Sequence, residues 1–171
     1  MKVIFLDIDG VLNNYNYAMS VYNKKVEAQG AQGSAHSVIN DCYDHFDPVS
    51  VQVLNEILEE TGAKIVISSA WRIVNTIDEL REHFTKQNIK NFDIIDVTPS
   101  HSKVITNMGR GGEILEWITN NKLPLDEFVI IDDSDDMNPY MDKLVQTTFD
   151  DGLRPEHKHL ILQQLGVTGN E

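Results

Sequence analysis

The stretch Lys2-Val-Ile-Phe-Leu-Asp-Ile-Asp-Gly-Val-Leu12 decides the fold that we expect for this chain. Its residues from Val3 to Leu6 are all apolar and are followed directly by Asp7. This pattern predicts a strand that is buried on both faces, as the strands of a parallel sheet are. Asp7 and Asp9 then lie at the carboxyl end of the strand, where an open α/β sheet binds its ligands. Two carboxylates there indicate a nucleophile beside an acid–base group, although a metal-binding loop or an Asp-rich turn has the same pattern.

The length and the cysteine content favour one soluble domain. A chain of 171 residues is expected to form a single domain, 1–171, that removes roughly 70% of its unfolded surface from water. Cys42 is the only cysteine, so no internal disulfide can form, which favours a cytoplasmic setting. The first apolar segment is far shorter than a signal-peptide core, and no segment approaches the ~18 apolar residues of a membrane span.

The charge is strongly acidic, with 27 Asp and Glu against 14 Lys and Arg and a formal net charge of −13. An acidic surface repels polyanions, which excludes a broad nucleic-acid-binding surface but allows a nucleic-acid end to be held at one site. The acidic residues cluster at 7 and 9 and again at 132–136. Part of the excess charge is therefore expected to be neutralised by a bound cation.

Apolar segments alternate with helical patterns along the rest of the chain. Strands are predicted at 2–6, 63–67, 92–97, 128–131 and 144–149, and helices at 48–61, 77–87, 110–118 and 155–165. This alternation implies βαβ units and a doubly wound, Rossmann-like parallel sheet of five strands. In the last helix, Leu160, Ile161 and Leu165 are expected on the buried side.

The segment 13–46 interrupts this alternation after the first strand. It carries no sustained period and is rich in Asn, Gln, Gly and Ser, so we interpret it as a loop. A loop of this length inside a compact domain is usually functional. We expect it to form a small cap over the mouth of the site.

Polar side chains follow the other strands. Ser68 and Ser69 come directly after the second strand, and Asp132 and Asp133 after the fourth. Arg110 precedes a predicted helix whose neighbouring glycines would leave backbone N–H groups open to an anion. Each feature alone has an ordinary alternative, such as a Ser-rich turn or a solvated Arg.

The order of these groups resembles the haloacid dehalogenase-like (HAD) superfamily. Its four motifs are Asp-x-Asp, a Ser or Thr after strand two, a Lys or Arg before a helix, and an acidic pair after strand four. The resemblance covers about residues 1–12 and 47–165. More narrowly, Phe-Leu-Asp-Ile-Asp-Gly-Val-Leu-Asn13, Ile-Ser-Ser-Ala-Trp-Arg72 and Ile-Ile-Asp-Asp133 are similar to the small HAD domain of phage and bacterial proteins that include the Swiss Army Knife RNA repair proteins.

The resemblance implies a phosphoryl-transfer mechanism. Asp7 would attack phosphorus and form an aspartyl-phosphate, and Asp9 would protonate the departing alcohol and then activate water. Ser68 and Ser69 would hydrogen-bond the phosphoryl oxygens, and Arg110 would neutralise their charge.

The same resemblance implies Mg²⁺ as cofactor, since clustered carboxylates repel one another and Mg²⁺ prefers oxygen ligands. The expected ligands are the Asp7 carboxylate, the Asp9 backbone carbonyl and Asp133. Asp132 and Asp136 would be neighbouring or alternate ligands, and a solvated acidic turn is an equal alternative for Asp136.

Two basic residues have open roles. Lys103 competes with Arg110 as the basic residue of the third motif, and Arg110 is preferred because it adjoins the helix start. Arg72 either contacts the substrate or packs beside Trp71.

The leading hypothesis is a Mg²⁺-dependent phosphomonoesterase that acts on a small phosphorylated substrate, a nucleotide or the 3′-phosphate end of a polynucleotide. A dehalogenase is disfavoured, because the acid–base group Asp9 suits an oxygen leaving group. A phospho-receiver domain also has paired Asp, a Ser or Thr and a basic residue, but in a different order. A catalytically silent binding domain of the same fold is the remaining alternative.

Overall fold

The computed structural model describes residues 1–29, 40–100, 109–122, 124 and 128–167. Within these residues, five parallel strands form one sheet in the order β3-β2-β1-β4-β5. The strands are β1 (Val3–Leu6), β2 (Lys64–Ile67), β3 (Ile94–Val97), β4 (Phe128–Asp132) and β5 (Leu144–Gln146). The predicted α/β fold with a five-stranded parallel sheet is confirmed.

The helices cover both faces of this sheet. Those of the described residues are α1 (Tyr15–Gln29), α2 (Pro48–Thr61), α3 (Trp71–Val74), α4 (Ile77–Lys86), α5 (Gly109–Asn121) and α6 (Pro155–Gln164). The predicted caps are present: the Asp47 side chain accepts the Val49 N–H at the start of α2, and Thr76 and Glu79 form a capping box at the start of α4. No helix in the described part of the chain is both long enough and apolar enough to cross a membrane.

The central strand β1 separates two hydrophobic layers. Ile4 and Leu6 pack in the layer that holds the buried residues of α2, α4 and α6. Val3 and Phe5 face the opposite layer, where the Phe5 ring meets Trp117 of α5 edge-on with 5.4 Å between ring centroids. Burying each of these strand side chains stabilises the fold by about 1.5–3 kcal/mol.

The strand register aligns the carboxyl ends of β1, β2 and β4. Leu6 lies level with Ile67 of β2 and with Ile131 of β4. The next residues continue the same ladder, because the Asp7 N–H donates to the Ile131 carbonyl at 3.0 Å and the Ser68 N–H to the Leu6 carbonyl at 2.9 Å. The carboxyl ends of three adjacent strands therefore meet at one level.

Two expectations for local structure are wrong. The segment 13–46 is not simply a loop, because Tyr15–Gln29 form α1 and residues 40–43 are also helical. Contacts at its first turn explain the helix: the N–H groups of Tyr15 and Asn16 donate to the carbonyls of Phe149 and Asp150, which lie outside the segment, and Asn14 Oδ1 accepts the Tyr17 N–H. The role of this segment as a small cap within a single domain, 1–171, stays a prediction.

The second difference is in α6. Ile161 and Leu165 are buried as expected, but Leu160 is 50% exposed. Ile161 and Leu165 are four residues apart and share one helix face, whereas Leu160 is one position, or about 100°, away from Ile161.

Candidate active site

The carboxyl ends of β1 and β4 place three carboxylates together. Asp7 follows β1, Asp132 ends β4, and Asp133 comes next. Each offers an oxygen that lies within 4.8 Å of those of the other two, and the groups are buried or half-buried. At this distance each pair of charges repels by about 1–3.5 kcal/mol at effective dielectric constants of 80 to 20.

Arg110 lies against this cluster from the first turn of α5. Its Nη1 atom is 2.9 Å from Asp7 Oδ2 and 2.6 Å from Asp132 Oδ2, and it also donates to the Ser68 carbonyl at 3.1 Å. These contacts are all made through Nη1. Arg110 therefore connects the ends of three strands, while Nη2 has no protein partner among the described residues.

The start of α5 is held close to the loop after β4. A Cβ atom on Gly111 would collide with the backbone of Met137 and Asn138, so only glycine allows this approach. The Arg110 N–H donates to Asp136 Oδ2 at 3.2 Å, and the Gly111 N–H to the Asp136 carbonyl at 3.1 Å. These N–H groups are not open to an anion, contrary to our expectation. The glycines serve close packing instead, and the exposed Asp136 caps the helix.

Burial raises the pKa of each carboxyl in the cluster. For Asp7, desolvation outweighs the opposing charge of Arg110. For Asp132, desolvation is reinforced by the neighbouring Asp7, and for Asp133 desolvation is again the largest cause. Desolvation alone would lower the pKa of Arg110, but Asp7 and Asp132 reverse this and raise it. One guanidinium thus compensates three carboxylates only in part.

Two buried polar atoms at this edge have no hydrogen-bond partner within the described ranges, Asp7 Oδ1 and Ser68 Oγ. Both residues follow adjacent strands, and their side chains are almost fully buried. A buried polar atom without a partner costs about 1–3 kcal/mol and requires an explanation. Atoms of a bound ligand or ion would satisfy both.

Asp133 lies beside the turn that follows β1. Gly10 has φ +73°, and a Cβ atom there would collide with the Asp133 carboxylate. The Gly10 carbonyl accepts a 2.6 Å hydrogen bond from Thr147 Oγ1. Glycine is therefore required both by the backbone conformation and by the approach of Asp133.

The sequence did not indicate which residues hold the Asp9 carboxylate. Trp71 Nε1 lies 3.1 Å from both Asp9 carboxylate oxygens, and Asn13 Nδ2 donates to Asp9 Oδ1 at 2.8 Å. Asn13 also donates to the Tyr43 carbonyl at 2.8 Å. Asn13 was recognisable in retrospect, since it lies four residues after Asp9, but Trp71 comes from a different βα connection.

Ser69 and Arg72 belong to a buried network behind the site. Ser69 is fully buried, and its carbonyl accepts from Arg72 Nη1 at 2.5 Å. The guanidinium also donates to the Thr98 carbonyl and forms a 2.5 Å ion pair with Glu113 of α5. Desolvation lowers the pKa of Arg72, although Glu113 opposes it. The Arg72 side chain is only 6% exposed and is engaged on three sides, and Lys103 lies outside the described residues.

The chain matches, over residues 3–158, the family described as the HAD domain in Swiss Army Knife RNA repair proteins. The chain belongs to this HAD family. The resemblance read from the motifs is therefore confirmed. No curated protein matches the sequence significantly.

Several solved structures are similar to this HAD domain. A candidate beta-phosphoglucomutase from Thermotoga maritima is 13% identical, with a TM-score of 0.51 over 96% of this chain and 100% of that one. CbbY from Rhodobacter sphaeroides in complex with phosphate is 11% identical, with a TM-score of 0.49 over 97% and 99%. A haloacid dehalogenase-like family protein from Streptococcus pneumoniae is 12% identical, with a TM-score of 0.47 over 92% and 89%. At such identities, the likeness to the Thermotoga structure supports the fold alone.

Proposed function

We propose that this HAD domain is a Mg²⁺-dependent phosphomonoesterase that acts through an aspartyl-phosphate on Asp7. The observation that carries the proposal is the state of the Asp7 carboxylate at the end of the central strand. One of its oxygens is paired with Arg110, and the other is buried without a partner in the described part of the chain. A carboxylate held in this way is oriented and free to bond at one atom.

The residues present fit a divalent cation. Three carboxylates share a small volume with one guanidinium, and burial raises the pKa of all three. Asp132 is engaged by Arg110 and by the Ser134 N–H, which leaves Asp7 and Asp133, with the Asp9 backbone carbonyl, as the groups that would hold Mg²⁺. The ion would supply positive charge to the phosphoryl oxygens.

The phosphoryl group would be bound by the Ser68 hydroxyl and by the Nη2 atom of Arg110. Ser68 Oγ is buried and without a hydrogen-bond partner among the described residues, and it follows the strand next to Asp7. Arg110 Nη2 lies on the same guanidinium that pairs with Asp7. A hydroxyl and a guanidinium are suited to the oxygens of a phosphate monoester. Ser69 would assist from beside Ser68, because its hydroxyl hydrogen-bonds the Asp7 carboxylate and its carbonyl accepts from Arg72.

The proposed reaction has two steps. In the first, an oxygen of Asp7 forms a bond to phosphorus, the bond from phosphorus to the leaving oxygen breaks, and Asp9 donates a proton to that oxygen. In the second, water attacks the aspartyl-phosphate, Asp9 takes the water proton, and inorganic phosphate leaves as the Asp7 carboxylate is restored. Hydrogen bonds from Trp71 and Asn13 would keep the Asp9 carboxylate in position during both steps.

For the substrate we propose a nucleotide or the 3′-phosphate end of a polynucleotide. The family description, which names RNA repair proteins, supports a nucleic-acid end. The net charge of −13 opposes extensive binding along a polyanion, so recognition would be confined to the terminal nucleotide.

The test is hydrolysis of p-nitrophenyl phosphate by the purified chain. We expect turnover with Mg²⁺, no turnover after EDTA, and recovery when Mg²⁺ is restored. The Asp7→Asn variant should be inactive, while Asp78→Asn, which changes an exposed carboxylate on α4, should match the wild type. Turnover that survives EDTA would refute the metal assignment, and turnover by Asp7→Asn would refute the nucleophile. A screen of nucleotides and of 3′- and 5′-phosphorylated oligonucleotides then identifies the substrate.

A further inference from the structure

Trp71 contacts the proposed acid–base group, Asp9, and also lines a cavity that has no role in the proposed reaction. Its indole N–H lies 3.1 Å from both oxygens of Asp9. Trp71 is also one of the residues that line a cavity of about 620 Å³, which we call the Trp71 cavity. The acid–base group and the cavity therefore have a wall in common.

A second segment connects Asp9 to the same cavity. Asn13 donates through one amide nitrogen to Asp9 Oδ1 and to the Tyr43 carbonyl. The next residue, Asp44, also lines the Trp71 cavity. Both segments that hold the Asp9 carboxylate thus contribute a residue to the wall of the cavity, Trp71 from one and Asp44 from the other.

The Trp71 cavity carries an apolar surface that no other described element covers. Ile73 and Val74 of α3 line it and are 65% and 81% exposed. Soluble proteins rarely leave neighbouring large apolar side chains exposed to water. Where they do, the exposed patch generally marks a binding site. Trp71 adds an aromatic surface, and its ring lies 5.0 Å from that of His83.

The charges in the cavity restrict what could bind there. Its polar lining consists of Asp44, Asn75 and His83, and no Lys or Arg lines it among the residues that the structure describes. Burial lowers the pKa of His83, so this ring is neutral at neutral pH. A second phosphate would find no counter-charge there, whereas a neutral ring would find an aromatic wall, apolar side chains and an amide.

We propose that the Trp71 cavity is the subsite for the leaving group of the phosphate ester, that it takes a neutral planar ring such as a nucleobase, and that Trp71 positions Asp9 at its edge. This inference rests on the proposed function. The acid that protonates the leaving oxygen must lie beside the group attached to that oxygen, and Trp71, which bonds to Asp9, is also part of the wall of the Trp71 cavity. Trp71 is a positioning residue in this scheme, because it acts through Asp9.

The first experiment separates positioning from general structural support. Trp71→Phe keeps an aromatic ring but removes the N–H that holds Asp9. Because a poor leaving group needs the acid and p-nitrophenolate does not, kcat/KM for phenyl phosphate, which covers only the steps up to the aspartyl-phosphate, should fall about tenfold or more, while kcat/KM for p-nitrophenyl phosphate changes little. Trp117→Phe is the matched control, since Trp117 Nε1 also bonds an aspartate, Asp96, at 2.7 Å, but in the layer of α5. Equal losses of kcat/KM on both substrates in Trp71→Phe would overturn the positioning role.

The second experiment tests the occupant of the Trp71 cavity. Ile73→Ser and Val74→Ser alter exposed side chains, so the fold should be unaffected. We expect KM for a nucleoside monophosphate to rise about tenfold, with kcat and the hydrolysis of methyl phosphate unchanged. Val49→Ser is the control, because Val49 is also exposed but lies on α2. An unchanged KM in both variants would refute the subsite while wild-type turnover still upheld the phosphatase.

Binding can also be measured without turnover. Trp71 and Trp117 are the only tryptophans in the chain, so in the Trp117→Phe protein the fluorescence reports on Trp71 alone. Adenosine, which has the ring but no phosphate, should change this fluorescence in a saturable way, and Ile73→Ser should weaken the response. If adenosine gave no response while nucleotide hydrolysis continued, the base would bind elsewhere and the proposal would fail.

Discussion

Arg110 Nη1 lies 2.6 Å from Asp132 Oδ2, and this ion pair joins the first turn of α5 to the last residue of β4. The same nitrogen lies 2.9 Å from Asp7 Oδ2. A single guanidinium therefore sets the position of the proposed nucleophile relative to the acidic pair. Its side chain is 26% exposed, so a bound phosphate could still reach it.

Replacing Arg110 tests whether it is the basic residue of the third motif. Arg110→Lys keeps the charge, but one ammonium group cannot pair with both carboxylates and also bind a phosphoryl oxygen. We expect kcat/KM for p-nitrophenyl phosphate to fall about a hundredfold, the loss typical for one transition-state donor. Arg81→Lys is the control, since Arg81 lies on a different helix, α4, and pairs with the exposed Asp78. Wild-type kinetics in Arg110→Lys would assign the role to Lys103.

Replacing Arg72 distinguishes a substrate contact from a structural one. The Arg72 guanidinium bonds to the carbonyls of Ser69 and Thr98 and to Glu113, so its loss would leave a half-buried carboxylate and two carbonyls without this partner. We expect Arg72→Met to lower the free energy of unfolding by about 3–5 kcal/mol. Urea unfolding measures this value. A KM that rises in a protein of unchanged stability would instead identify Arg72 as a substrate contact.

Gly111 offers a purely steric test of how α5 is placed. A Cβ atom there would collide with backbone atoms of Met137 and Asn138, which cannot move as a flexible side chain would. Gly111→Ala should therefore destabilise the protein by about 1–3 kcal/mol and reduce activity by displacing Arg110. Gly62→Ala is the comparison, since it meets only the strain of a left-handed φ of 60° in open space. A stability loss at Gly111 no larger than that at Gly62 would contradict the steric account.

The residues that sequence patterns located correctly are those placed by local rules. Asp7, Ser68 and Asp132 lie at strand ends because an apolar run determines where each strand begins and ends. The parallel sheet then places those ends side by side without further information. The first turn of α5 is similar, since glycines before an apolar helical period predict a helix start. These features required only the order of elements along the chain.

The structural features that the sequence patterns did not predict depend on contacts between distant segments. Nothing local to Asp9 shows that Trp71 would donate to it, because that contact depends on how the connection after β2 turns. Helix α1 is weakly amphipathic, and its first N–H groups are satisfied by carbonyls near the end of β5, so its stability comes from tertiary structure. The glycines of α5 were assigned to anion binding because close packing against the loop after β4 leaves no sequence signal.

The pH dependence of stability tests the electrostatics of the carboxylate cluster. Burial and the charge of Asp7 raise the pKa of Asp132 above its ordinary 3.8. Between pH 3.8 and the folded-state pKa of about 7, the folded protein keeps a proton that the unfolded chain has lost, so this group destabilises the fold increasingly across that range. In EDTA, we expect the Asp132→Asn protein, which has no such proton, to gain stability relative to the wild type as the pH increases from 4 to about 7, and to gain no more above that. Urea unfolding across this range measures the difference, and saturating Mg²⁺ should reduce it by neutralising the cluster. The exposed Asp78→Asn change is the control, and parallel pH profiles of wild type and Asp132→Asn would show that the Asp132 carboxyl carries no burial penalty.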